Sequence, residues 1–486
     1  MSKFQPIEFY GNRSKVSSYQ ILPFRFTELD DSRHVLTNLA GEYLVAPKEA
    51  IKPFVEHTLA STDPFYIQLR ARHFLVDEKT QVANELLAMK LRTRYERMSD
   101  FTSLHIFVVS LRCEHSCPYC QVSRQSEDKS KFDMSKAQAR AAVDLVLRAP
   151  ATHLKVEFQG GEPLLNFPLI RFIVDEFKAR KTDKQVSYVI ATNLALLDDE
   201  VLAFCKANNV FISTSLDGPR ELHNKNRPRP GKDSYERAVD GIKKVRRTLG
   251  REYVSALMTT TEASLPHGKA IVDEYLRMDF DGIFLRPLSP YGFAIKTKSY
   301  LAYNTNRWLD FYRNTLDYII ELNRQGIPFR EHYAGIILTK MFTSNDPGYV
   351  DLTSPAGIGI GAVVYNYDGA IYASDEARML AEMGEGKFKI GQLGKSSYED
   401  VFLSPALLDP LDESFAMSAP MCNDCAYEPY CGSDPVFHYG IYKDFNGRKP
   451  ESEFCRRNMS TFQHLIARME ADPFVKNLFL SWARHQ

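Results

Sequence analysis

The chain has 486 residues, of which 61 are Lys or Arg and 61 are Asp or Glu, so its formal net charge is zero and it lacks the basic footprint of a nucleic-acid binder. Apolar residues make up 44% and charged residues 25%, the balance of a soluble globular protein with roughly two to four domains. No apolar run reaches membrane-spanning length and the start, MSKFQPIEFYGNRSKV, has no signal core, so a cytoplasmic protein without membrane contact is expected.

Taken in chain order, residues 1–100 predict short strands at 20–26, 34–38 and 42–46, with a turn at Ala40-Gly41, and helices at 47–57, 64–72 and 78–98. Three small strands and a few helices suggest a winged-helix-like module. From about residue 101 apolar runs alternate with helical periods. Strands are expected at 104–110, 154–159, 186–191, 210–216, 253–259 and 282–287. Helices are expected at 135–148, 168–181, 199–208, 234–249, 265–278 and 305–324. This order implies an α/β fold, a parallel sheet with right-handed crossovers that curls into a full or partial barrel. Its working face is the one at the strands' C-terminal ends. From about residue 346 the alternation stops. A hairpin at 363–372 turns at Asp368-Gly369, and residues 460–484 carry an amphipathic helical pattern followed by a short aromatic stretch. The expected segments are therefore 1–100, 101–345 and 346–486.

The polar motifs fall on the strand ends. Cys113, Cys117 and Cys120, spaced C-x3-C-x2-C, follow the first strand of the alternating segment. Three thiolates there can hold three irons of a cubane cluster and leave the fourth iron open for chemistry. Zinc would need a fourth ligand, and His115 is too close in sequence to serve well. Gly160-Gly161-Glu162-Pro163 follows the second strand, Thr192-Asn193 the third, Ser215-Leu216-Asp217-Gly218 the fourth, and Arg286-Pro287 ends the sixth. Four more cysteines, Cys422, Cys425, Cys431 and Cys455, offer a second thiolate set that suits either a zinc ribbon or an iron–sulfur cluster. The eighth, Cys205, lies in a helical segment and reads as a small core residue.

The C-x3-C-x2-C loop, with Tyr119 before its last cysteine, resembles the radical S-adenosylmethionine (SAM) superfamily over residues 104–300. The resemblance implies a partial (β/α)6 barrel, with a [4Fe–4S] cluster on Cys113, Cys117 and Cys120 that binds SAM at its open iron. It implies that Gly160, Gly161 and Glu162 hold the methionine ammonium, and that Asn193 and Ser215 contact the ribose and the methionine carboxylate. It puts Arg286 near the adenine or that carboxylate, and leaves Asp217-Gly218 as a turn device. Cys422, Cys425, Cys431 and Cys455 resemble the ligands of the second auxiliary [4Fe–4S] cluster of the C-terminal extension called SPASM. Cysteines for a first auxiliary cluster are missing around residues 353–359, Ser374 and Pro435, so one auxiliary cluster is expected, to relay electrons or stabilise the fold. Asp375 lies where sulfatase-maturating relatives carry a catalytic acid; otherwise it is a turn residue.

The phrase HVLTNLAGEYLVAPKEAIKPF resembles a peptide-recognition element that adds a leader peptide as a strand to a sheet edge; the alternative is a packing module. The string Cys-Pro-Tyr-Cys-Gln-Val-Ser-Arg-Gln-Ser is similar to maturases of the His-Xaa-Ser peptide system. The resemblance thus implies an enzyme that modifies a ribosomally made precursor peptide by radical chemistry. Its partners would be that peptide, an electron donor such as flavodoxin or ferredoxin, and a second maturase subunit. The alternatives are maturation of the sulfatase-activating type, by oxidation of a Cys or Ser, and a non-catalytic peptide-binding or escort subunit.

Overall fold

The structure is a computed structural model that describes residues 19–79, 82–126, 128–297 and 304–484. The start of the chain and residues 80–81 of the expected third helix lie outside the described residues. The chain forms two compact units, one of residues up to Tyr95 together with Asp424–Pro429, the other of Glu96–Asn423 and Tyr430–Gln486.

In the first unit the expected strand at 20–26 is two strands, β1 (Tyr19–Ile21) and β2 (Phe24–Glu28), because Pro23 between them cannot donate to a ladder. β2, β3 (Arg33–Asn38) and β4 (Tyr43–Pro47) form an antiparallel meander with β3 in the centre. β1 pairs instead with β5 (Leu75–Asp77). Helices Lys48–Val55, Pro64–Ala71 and Ala83–Tyr95 accompany the strands. Tyr19, Leu36, Leu44, Phe54, Tyr66 and Phe74 meet in the core. The 424–429 segment belongs here because its polar groups are spent here. Thr37 Oγ1 donates to the Ala426 carbonyl at 2.6 Å, and Arg25 pairs with Glu428 at 3.1 Å in a buried ion pair.

The second unit is built on an eight-stranded sheet whose strands lie in the order Val254–Leu257, Val210–Ser215, Gln185–Ala191, His153–Gly160, Leu104–Ser110, Ala362–Tyr365, Ala370–Tyr372 and Lys389–Gln392. β6 (Leu104–Ser110), β7 (His153–Gly160), β8 (Gln185–Ala191), β9 (Val210–Ser215) and β10 (Val254–Leu257) run parallel. Helices Lys136–Val146, Phe167–Ala179, Asp199–Asn208 and Ser234–Thr248 link them. β6 is buried along nearly its whole length, which is why it reads as a continuous apolar run rather than an alternating one. Ser135 opens the first of these helices with a capping box to Gln138. Cys205 is fully buried in the third.

Two expectations change at the end of the barrel. The sixth strand, β11, is only Gly282–Ile283, and it pairs with β12 (Arg330–Glu331) rather than with β10. The buried Glu331 carboxylate explains this. It accepts from Leu285 N at 3.0 Å, from Tyr312 Oη at 2.9 Å, and from Tyr333 N and Ala334 N at the start of helix His332–Phe342. The Leu285 amide is thereby withdrawn from any ladder. The predicted hairpin, β13 (Ala362–Tyr365) and β14 (Ala370–Tyr372), does not stand apart from the barrel. β13 pairs in parallel with β6, and β15 (Lys389–Gln392) follows β14, so no compact-unit boundary falls near residue 345. The C-terminal helical pattern is two helices, Glu453–Ala471 and Pro473–Arg484, broken where Pro473 begins the second. Among the described residues no helix is long and apolar enough to cross a membrane.

Replacing Glu331 with Ala strands four buried donors, each costing about 1–3 kcal/mol. Glu331→Ala should lower the stability of this unit by about 4 kcal/mol or more in urea unfolding, and Glu331→Gln by less, because one acceptor oxygen remains.

Candidate active site

The site begins where β6 ends. Residues 111–125 leave the strand as a loop that is tied down at several points. Arg112, itself buried, makes two parallel bonds to Asp133 at 2.7 and 2.8 Å and a third to the Leu165 carbonyl at 2.7 Å. Ser116 N donates to Pro228 O, and Phe293 N to Cys120 O, both at 2.7 Å. Cys113, Cys117 and Cys120 therefore face one cavity of about 230 Å³ from a loop with little freedom. Burial pushes the Cys117 thiol up to about 12, with the Arg227 guanidinium opposing it, and burial raises Cys113 further. Thiols in such a place ionise when a metal takes the proton's position.

The end of β7 fits against the base of this loop backbone to backbone. Gly161 N donates to Ser110 O at 2.9 Å and Glu162 N to Arg112 O at 2.7 Å. A Cβ on Gly160 would overlap the Ser110 carbonyl, and one on Gly161 the Arg112 carbonyl. Both glycines line the cavity, whereas Glu162 is fully buried behind them. Its carboxylate accepts from Leu164 N at 3.0 Å, Thr192 Oγ1 at 2.7 Å and Asn193 N at 2.9 Å. Burial and then the nearby Glu114 push it up to about 8. In this arrangement Glu162 joins the ends of β7 and β8, and the glycine backbone is what faces the cavity.

Asn193 and Ser215 line the same cavity. The Asn193 amide also reaches the cysteine loop, at 2.8 Å from Glu114 Oε1 and 3.0 Å from His115 Nδ1. Arg286 lines the cavity too, with Glu376 3.7 Å from its guanidinium. Burial works against the Arg286 charge, but Tyr349, Glu376, Asp351 and Asp375 around it outweigh that. Asp375 stands at the start of helix Asp375–Ala381 and lines the cavity, and its Oδ1 accepts from the buried Arg378 Nε at 3.0 Å. One structural observation favours a ligand here. Thr214 Oγ1 is buried, lines the cavity and has no hydrogen-bond partner among the described residues.

Sequence reasoning missed three features. Asp217, read as a turn device, is fully buried and accepts from Tyr119 Oη at 2.7 Å and from Arg227 Nε and Nη2 at 3.0 and 3.2 Å. Arg227, twelve residues beyond Ser215, was not singled out at all, yet it lines the cavity. No local motif marks it, because it lies at the end of a short helix, Arg220–Asn226, past the turn. Carboxylates also stand beside the positions that lack cysteines. Asp351, Asp375 with Glu376, and Asp434 flank them, and burial with mutual repulsion pushes Glu376 up to about 8 and Asp434 up to about 7.

Cys113, Cys117, Cys120, Cys205, Cys431 and Cys455 are free thiols. In the second unit Cys422 lies 3.8 Å from Ser433 Oγ, and Asn458 Nδ2 points to Cys431 Sγ at 3.6 Å. Cys455 opens helix Glu453–Ala471, its N–H held by Ser452 Oγ at 3.3 Å. Burial, then Cys431 and Cys422, push its thiol up to about 12, so these three sulfurs sense one another. Cys425 follows Cys422 by three residues, in the 424–429 segment of the first unit.

Gly160→Ala should destabilise the second unit by about 1–3 kcal/mol through overpacking. It should also sharply reduce the iron retained after reconstitution; urea unfolding and iron assay together check this.

Residues 107–261 match the Radical SAM superfamily. An uncharacterized protein of Methanocaldococcus jannaschii is 32% identical over 138 residues, 28% of this chain and 46% of that protein. A cysteine-type anaerobic sulfatase-maturating enzyme of Clostridium perfringens is 26% identical over 232 residues, 44% of this chain and 61% of that enzyme. The chain thus spans less than two thirds of the length of either relative. Among solved structures, native anSMEcpe with bound AdoMet superposes with a TM-score of 0.63 at 17% identity, covering 78% of this chain and 99% of that one. Streptococcus suis SuiB bound to precursor peptide SuiA gives a TM-score of 0.51 at 14% identity, over 90% and 100%. At these identities the likeness is one of fold. The three-cysteine loop, the Gly-Gly-Glu turn and the polar ends of β8 and β9 all lie inside the matched span, and residues 107–261 form a radical SAM domain.

Proposed function

We propose that the chain is a peptide-modifying radical SAM enzyme acting on a ribosomally made precursor peptide. One observation carries the reading: three cysteines, the Gly160-Gly161 backbone and an unpartnered buried hydroxyl, Thr214 Oγ1, converge on a single cavity at the C-terminal end of the sheet. The thiols of Cys113, Cys117 and Cys120 would hold a [4Fe–4S] cluster with one open iron. The cluster with SAM, when bound, would supply hydrogen-abstracting radical chemistry at the cavity those thiols face.

The chain's own residues bind and orient. The Gly160-Gly161 rim lets the methionine ammonium approach the backbone closely. Ser215 and Asn193 offer polar contacts to the ribose, and Arg227, a half-buried cation lining the same cavity, suits the methionine carboxylate. Arg286 and Asp375 line the same cavity and would face the substrate. Asp375, oriented by Arg378, is placed to take the proton that leaves a substrate heteroatom. Cys422, Cys425, Cys431 and Cys455 would hold one auxiliary [4Fe–4S] cluster that relays electrons from a flavodoxin- or ferredoxin-like donor.

The first unit is the proposed recognition module. β2 and β4 are the edges of its three-stranded sheet, and an edge can accept a leader peptide as a further strand. SuiB, a fold neighbour, is bound to its precursor peptide in its structure, which supports a peptide substrate. Maturation of the sulfatase-activating type is the second reading, favoured by Asp375 on the cavity wall.

Anaerobic reconstitution with iron and sulfide, followed by reductant and SAM, should yield 5′-deoxyadenosine, and Cys117→Ala should abolish it. No product from wild-type protein with verified clusters sinks the reading. Tandem mass spectrometry of a co-expressed candidate peptide, with and without hydrazide labelling, then decides between the readings: oxidation of Ser, or of Cys with hydrolysis of the thioaldehyde, leaves an aldehyde that the hydrazide captures, whereas a crosslink does not. Asp375→Asn should keep 5′-deoxyadenosine formation within about two-fold while slowing peptide modification by about 10²-fold or more, the usual scale for a lost proton acceptor.

A further inference from the structure

We propose that Asp217 poises the iron–sulfur cluster of the Cys113–Cys120 loop by neutralising the Arg227 guanidinium that lies beside Cys117. The proposal rests on the radical SAM reading of residues 107–261 and adds to it a residue that touches neither SAM nor iron.

The geometry is a closed node. Asp217 Oδ2 accepts from Tyr119 Oη at 2.7 Å and from Arg227 Nε at 3.0 Å, and Oδ1 from Arg227 Nη2 at 3.2 Å and Thr259 N at 3.4 Å. The guanidinium lies over the Tyr119 ring, 5.5 Å from its centroid. Tyr119 directly precedes Cys120, and Arg227 lines the cavity together with Cys117 and Cys120. Asp217 N donates to His223 Nδ1 at 3.3 Å, so that ring nitrogen serves as an acceptor and the buried imidazole is neutral. The charges that act on Cys117 are the Arg227 guanidinium, the Asp217 carboxylate that clamps it and, more weakly, the Arg124 guanidinium on the same cavity.

The consequence follows from the sign of the charge. Reduction adds one electron, drawn from a low-potential donor, to a group held by thiolates. A bare half-buried cation acting on Cys117 would stabilise the extra negative charge and make the cluster a weaker reductant. Cleaving a sulfonium bond needs a strong one. Asp217 offsets the cation while leaving the Arg227 donors on the cavity wall for an anionic group of the cofactor. It is a positioning and electrostatic residue, which explains why a carboxylate is buried where a turn alone would be served by any small polar residue.

The test is a double-substitution cycle on the full chain, reconstituted anaerobically and titrated potentiometrically by electron paramagnetic resonance without SAM or peptide. Asp217→Asn should shift the SAM-site cluster to a more positive potential. Arg227→Gln should shift it to a more negative one, and the double variant should return toward wild type. Each single shift should correspond to at least a ten-fold change in the reduction equilibrium, about 59 mV for one electron. Unchanged potentials, or shifts of the same sign, in variants with full iron content overturn the proposal. If one single variant does not retain iron, the other decides by its sign. Failure of the radical SAM reading is seen separately, as a wild-type signal that SAM does not perturb.

Discussion

The site depends on one close approach, the end of β7 laid against the end of β6 with no side chain between them. The two amides of Gly161 and Glu162 bond to the carbonyls of Ser110 and Arg112, at a separation that excludes a Cβ on either glycine. From that contact the rest is carried outward. Glu162 is held in the fully buried space behind the turn and captures Thr192 and Asn193 at the end of β8. Asn193 in turn reaches back to Glu114 and His115 on the cysteine loop. Three strand ends are thereby locked around one cavity, and the lock consists mostly of backbone groups and one carboxylate, which are expensive to leave unsatisfied in a dry interior.

Charge organises the remainder. Arg227 and Arg286 both line the cavity, and each is bracketed by carboxylates: Asp217 for the first, Glu376, Asp351 and Asp375 for the second. Unpaired, either guanidinium would be costly at that depth. Paired, each keeps donors available toward the cavity. The carboxylates Asp351, Glu376 and Asp434 occupy the neighbourhood where cysteines for a further cluster would be required, so that region is a network of ionisable groups rather than a second set of sulfurs.

Much of this was legible in the linear chain, for reasons that can be located. The C-x3-C-x2-C loop, the Gly-Gly-Glu turn and the β–α alternation are short-range patterns, set by metal geometry, close backbone approach and the helical and strand periods. Cys113, Cys117, Cys120, Gly160, Gly161, Asn193, Ser215 and Arg286 stand out on that basis and Asp375 only through the family resemblance; all of these line one cavity, whereas Glu162 is buried behind it. The sixth strand was misjudged because its apolar pattern carries no sign of Glu331, some fifty residues on, which takes its amide. The hairpin was placed in a separate segment because parallel pairing of β13 with β6 joins residues about 260 apart, and no local period reports such a pairing.

What the sequence by itself determined is the inventory: the thiolates and their spacing, the glycines, and the polar residues punctuating each strand. Those properties are local, and a few neighbouring residues suffice to impose them. Which residues hold the others was decided only by the tertiary structure. Asp217 is a turn residue in the chain and a buried node in the fold, because Tyr119, ninety-eight positions earlier, and Arg227, ten positions later, are brought to its two oxygens by separate strands and helices. Electrostatic partnership depends on distance in space and on burial, and neither is written in the distance along the chain.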